Sequence, residues 1–134
     1  MRGLHLTADL RGCAAGSAVM TAPAALRTLC LDAVGAAGLS PVGELFHRFA
    51  PGAGDDRSAP SGITGVVLLA ESHLAVHTWP ELGAATLDVY VCNLGSDNSA
   101  RAEALLAALI GAFAPASVER HALLRGAAPV AAAS

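Results

Sequence analysis

Apolar and polar residues alternate from the start of the chain. Leu4, Leu6, Ala8 and Leu10 interleave with His5, Thr7, Asp9 and Arg11, the period-two pattern of a half-buried strand. A helical period follows: Leu26, Leu29, Cys30, Ala33, Val34 and Ala37 predict a helix capped by Thr21 and stopped by Gly38. Residues 42–49 read as a second strand, and residues 50–62 (APGAGDDRSAPSG) carry turn and loop chemistry throughout. Residues 63–70 (ITGVVLLA) form a strand apolar on both faces. Beyond Glu71-Ser72, Leu74 and Val76 alternate with His73, Ala75, His77 and Trp79, and residues 80–83 (PELG) make a turn. Leu87, Val89 and Val91 then alternate with Thr86, Asp88, Tyr90 and Cys92. A second helix spans residues 99–113 and buries Leu105, Leu106, Leu109, Ile110 and Phe113. Val118, Arg120, Ala122 and Leu124 close the pattern with a last strand.

This order predicts an α+β fold, a two-layer sandwich in which a mainly antiparallel sheet carries two helices on one face. One domain is expected over residues 1–126, with a frayed tail at 127–134. The uncovered face of such a sheet must meet water or another subunit.

Composition narrows the function. Charged residues make up 14% of the 134, the net charge is −3, and Lys and Arg are not clustered. Nucleic acid and anionic membranes are therefore unexpected partners. Three cysteines at irregular spacing, without a CxxC pair, fit a reducing cytoplasmic setting better than a disulfide framework. There is no signal-peptide pattern, and no apolar run approaches the ~20 residues of a membrane helix.

The segment ESHLAVHTWPELGAATLDVYVC, residues 71–92, collects the unusual residues. If Leu74, Val76, Leu87, Val89 and Val91 face the helices, His73, His77, Trp79, Asp88, Tyr90 and Cys92 share the other face. A one-residue slip would undo that grouping and expose the apolar set. A lone cysteine is ordinarily a small buried apolar residue. His73 and His77 lie roughly 13 Å apart along a strand, too far to share a metal ion, and no other histidine completes a ligand spacing, so no metal is expected.

The string ESHLAVHTWPE closely resembles the signature of the prokaryotic S-adenosylmethionine decarboxylase proenzymes, which cleave themselves at the Glu-Ser bond. The likeness extends to Phe46-His47-Arg48-Phe49, to Gly65-Val66-Val67, and to Leu87-Asp88-Val89-Tyr90 leading to Cys92, and covers roughly residues 3–126. It implies that the Ser72 hydroxyl attacks the Glu71 carbonyl and that the resulting ester breaks by β-elimination. Residues 1–71 would become a β chain, and residues 72–134 an α chain headed by a covalent pyruvoyl cofactor made from Ser72. Serine is required because its oxygen serves first as nucleophile and then as leaving group. The resemblance further implies that His77 moves the proton in processing and that Thr64 supports it. The substrate amine would form a Schiff base with the pyruvoyl group, and Cys92 would donate the proton that completes decarboxylation. Glu81 would bind the ribose hydroxyls and Phe49 would stack on adenine. Trp79 either lines that pocket or braces the turn.

The product would be carbon dioxide and decarboxylated S-adenosylmethionine, the aminopropyl donor of spermidine biosynthesis, made by a homodimer whose sites use both subunits. Residues 50–62 and 93–98 depart from the commoner family pattern. Alternative readings are a pyruvoyl decarboxylase of arginine or ornithine, and an inactive regulatory paralogue. The latter would be marked by loss of Ser72, His77 or Cys92, all of which are present.

Overall fold

A computed structural model describes residues 1–49 and 61–126. Its elements run β1 (Gly3–Arg11), α1 (Ala18–Thr21), α2 (Pro23–Ala36), β2 (Pro41–Arg48), β3 (Ile63–Leu69), β4 (Ser72–Trp79), a 3-10 turn (Pro80–Leu82), β5 (Ala84–Cys92), α3 (Ser99–Phe113) and β6 (Ser117–Arg125). The six strands form one sheet in the order β2-β3-β4-β5-β1-β6, every neighbouring pair antiparallel. The α+β sandwich is thus as expected, with a one-turn third helix added.

That extra turn corrects the expected cap. Thr21 ends α1, and its hydroxyl turns back to the Ser17 carbonyl at 3.4 Å. α2 instead starts at Pro23, whose fixed φ suits the first helical position and whose missing N–H costs nothing there. Gly38, at φ 82°, ends the helix as expected, in a conformation that a side chain disfavours.

Alternation decides which face each strand buries. Leu6, Ala8 and Leu10 of β1, Leu74 and Val76 of β4, and Leu87, Val89 and Val91 of β5 all pack under the helices. They meet Leu26, Cys30 and Val34 of α2 and Leu105, Leu106, Leu109 and Phe113 of α3. Each such leucine contributes about 1.5–3 kcal/mol by leaving water. The two edge strands, β2 and β6, bury no residue.

Among the described residues, one polar side chain lies fully inside this core. Thr78 Oγ1 donates to the Met20 carbonyl at 2.8 Å and accepts the Ile63 N–H at 3.0 Å, tying α1 to the sheet. Thr78→Val keeps the shape but strands both backbone groups. It should lower the unfolding free energy by about 1–3 kcal/mol in a denaturant titration; an unchanged midpoint would contradict this account of the α1 anchor.

Candidate functional site

β3 and β4 are joined through Ala70 and Glu71 alone, with Leu69 paired to Ser72. Neither loop residue has a positive φ, so this turn holds no left-handed backbone strain. Ser72 has the parity of Leu74 and Val76, which points it to the helix side at the rim of the sheet. Its Oγ accepts the Cys92 N–H at 3.1 Å. This bond crosses from β4 to β5 and joins two of the expected site residues.

Two cavities meet at this rim. One, of about 250 Å³, lies toward the helices and is lined by Gly38, Ser40, Glu71, Ser72, Cys92 and Asn98, among others. The second, of about 470 Å³, opens on the other side and includes Glu71, Ser72, His73, Tyr90 and Arg125. Cys92 is only 8% exposed yet reaches the first cavity. Cys30 lies in the core, where burial pushes its thiol up to about 12, and burial also raises Cys13. Among the three free thiols, Cys92 is the one placed beside Ser72.

The second cavity is backed by a cluster on the open sheet face. Asp88 bonds His5 and lies 3.9 Å from His73. The Tyr90 ring packs against both imidazoles, at 5.9 Å and 5.7 Å between centroids. Arg125 reaches His5 Nδ1 at 3.2 Å and stands over Tyr90 at 5.9 Å. Alternation alone puts His73, Asp88 and Tyr90 on one face, but it gives no sign that His5 and Arg125 join them. Their strands are remote in sequence, and only the pairing of β1 with β5 and β6 brings them in. Among the described residues, no group of three or more His, Cys, Asp or Glu is arranged to hold a metal ion.

The remaining expected residues gather at the opposite end of β4. Thr64 pairs with His77 across β3 and β4, and Thr64 Oγ1 lies 3.1 Å from His77 Nδ1. Trp79 stacks on the His77 ring at 5.8 Å and 26°. Trp79 is half-buried and leads into the 3-10 turn that carries the exposed Glu81. The Phe49 N–H bonds the Gly62 carbonyl at 3.1 Å, just before β3 begins. His77 is five residues from Ser72, roughly 16 Å along an extended strand. Within one chain, His77, Phe49, Trp79 and Glu81 therefore do not reach Ser72 and Cys92.

A sequence model described as S-adenosylmethionine decarboxylase matches residues 4–126, nearly the whole chain. The chain belongs to the S-adenosylmethionine decarboxylase family. It is 36% identical over 128 residues to the S-adenosylmethionine decarboxylase proenzyme of Persephonella marina, covering 96% of this chain and 85% of that protein. The proenzyme of Archaeoglobus fulgidus is 31% identical, covering 92% and 97%. The crystal structure of the adenosylmethionine decarboxylase from Aquifex aeolicus superposes with a TM-score of 0.79 at 34% identity, covering 96% and 93%. The Trypanosoma brucei AdoMetDC monomer, at 12% identity and TM-score 0.54, shares the fold.

In a chain of this family, the Thr64–His77 contact generates a direct test. Thr64→Val removes the hydroxyl that orients the imidazole, and should slow cleavage at Glu71-Ser72 about tenfold. Thr64→Ser should cleave within about twofold of wild type, followed by gel densitometry. Equal rates in the wild-type and Val proteins would remove Thr64 from processing.

Proposed function

We propose that this chain is a self-processing decarboxylase proenzyme that acts on S-adenosylmethionine, releasing carbon dioxide and the aminopropyl donor for spermidine. The observation that carries the reading is the bond from the Cys92 N–H to Ser72 Oγ, at a Glu-Ser junction opening on two cavities. It sets the Ser72 hydroxyl beside the Cys92 backbone, at the junction where a chain of this family is expected to make its cofactor, and this supports the reading.

Cleavage follows from the chemistry of these residues. Ser72 Oγ attacks the Glu71 carbonyl carbon, the Glu71–Ser72 C–N bond breaks, and the proton passes to the freed amine, which leaves an ester. Removal of the Ser72 α-proton then breaks the Cβ–Oγ bond, and Oγ departs within the new Glu71 carboxylate. The dehydroalanine left behind shifts a proton from nitrogen to its CH2 carbon, and hydrolysis of the resulting imine releases ammonia. The Cys92 N–H already points at the Ser72 oxygen, a fit for an oxygen-bearing group at that position. When present, the pyruvoyl group would supply an electron-withdrawing carbonyl for decarboxylation. The chain's own part would then be protonation by the Cys92 thiol, with Phe49 and Glu81 binding the adenosine portion and Trp79 bracing His77.

The separation of the two groups along β4 supports a homodimer. Among the described residues no layer covers the open sheet face, which exposes Leu45, Leu68 and Leu123, at 69%, 49% and 58%. A two-fold pairing of these faces would set the Ser72 rim of one chain against the His77, Phe49 and Glu81 end of the other. His77 would then act on the Ser72 of its partner.

The test measures carbon dioxide released from S-adenosylmethionine, with arginine and ornithine as rival substrates. Ser72→Ala should be inactive. Cys92→Ala and Glu81→Gln should each be weak alone, and refolded together one to one they should recover about a quarter of wild-type activity. Half of the dimers would then be mixed, and each of these has one of two sites intact. Release from arginine or ornithine alone would overturn the substrate. No recovery on mixing would overturn the shared site.

A further inference from the structure

Asn98 stands immediately before α3, where an asparagine ordinarily caps the helix by accepting an N–H of its first turn. Here its side chain does no capping. Asn98 Nδ2 instead donates to the Cys92 carbonyl at 2.8 Å, and Asn98 Oδ1 accepts from Arg101 Nη1 at 2.8 Å. The two partners determine which way the amide faces, because a carbonyl only accepts and a guanidinium only donates.

Neighbours serve the helix start in its place. Asp97 Oδ1 accepts the Ser99 N–H at 2.9 Å, and Asn93 Oδ1 accepts the Asn98 N–H at 2.7 Å. Asn93 Nδ2 also donates to Ser99 Oγ at 3.0 Å. The Ser99 backbone N–H, and after it the Ser99 hydroxyl, hold the Asp97 carboxyl below the usual carboxylate range. A strong capping residue is thus released from the helix and committed to Cys92.

We propose that Asn98 is a positioning residue for Cys92 and, through it, for Ser72. Cys92 ends β5, and both of its backbone polar groups are bound at the site: the N–H to Ser72 Oγ at 3.1 Å, the carbonyl to Asn98. Asn98 lines the same 250 Å³ cavity as Ser72 and Cys92. The amide therefore sets the height of the thiol against the Ser72 carbon, and holds the N–H on the oxygen during cleavage. Arg101, in the first turn of α3, keeps the amide from rotating away.

This inference rests on the decarboxylase reading. Asn98→Asp is the informative substitution, since aspartate keeps the size, caps a helix well and can still pair with Arg101. What it loses is the donor, leaving an oxygen facing the Cys92 carbonyl. Asp97→Ala is the control that weakens the same helix start without touching Cys92.

Asn98→Asp should melt within about 2 °C of wild type, cleave about tenfold more slowly, and show kcat down about tenfold with KM within about twofold. Asp97→Ala should melt lower and keep wild-type kcat. Wild-type rates in Asn98→Asp would overturn the proposal, as would an equal loss of kcat in Asp97→Ala. Failure of the wild-type chain to cleave or to release carbon dioxide would instead overturn the decarboxylase reading itself.

Discussion

The register of β3, β4 and β5 is the constraint on which the rest of the molecule depends. Leu69 opposes Ser72, His73 opposes Tyr90 and His77 opposes both Thr64 and Thr86. A slip of one residue would turn Leu74 and Val76 out of the core, so burial of these apolar side chains also decides where the hydroxyl at position 72 points. Chemistry at the rim and stability at the centre are two consequences of one alignment.

That alignment has a second effect. Following the pairings across the sheet, His5, His47, His73, His77 and His121 all lie on the face that the helices leave open. Thr64, Asp88 and Tyr90 share it, as do the exposed Leu45, Leu68 and Leu123. The helix-side face is closed by leucine, valine and alanine, with Thr78 the one fully buried polar side chain among the described residues. Two such open faces in contact would cover these leucines, which stand toward the two edges of the sheet, and bring the two ends of β4 from different chains together.

Much of this was legible in the chain. The strands of a half-buried sheet advertise themselves by alternation, and β1, β4 and β5 fall where the pattern put them. Pro23 overrode Thr21 as the start of the first long helix, since residues 18–21 could form a turn of their own. Ser72 itself has no compositional mark; a family signature singled it out, and the structure then placed Cys92 beside it. The separation of His77 from Ser72 was implicit in strand geometry. Asn98 escaped notice because a residue before a helix reads as a cap, and only the side-chain bonds reveal its other use. The expectations on residues 50–60 and 127–134 lie outside the described residues.

The central claim is that this chain makes its own reactive group by breaking the Glu71–Ser72 bond. Intact-mass analysis of the purified protein tests it most directly. The account predicts two fragments, 1–71 and 72–134, with the second lighter than its sequence by one molecule of ammonia and carrying no free amine at its start. A single unbroken chain of 13.3 kDa would contradict it.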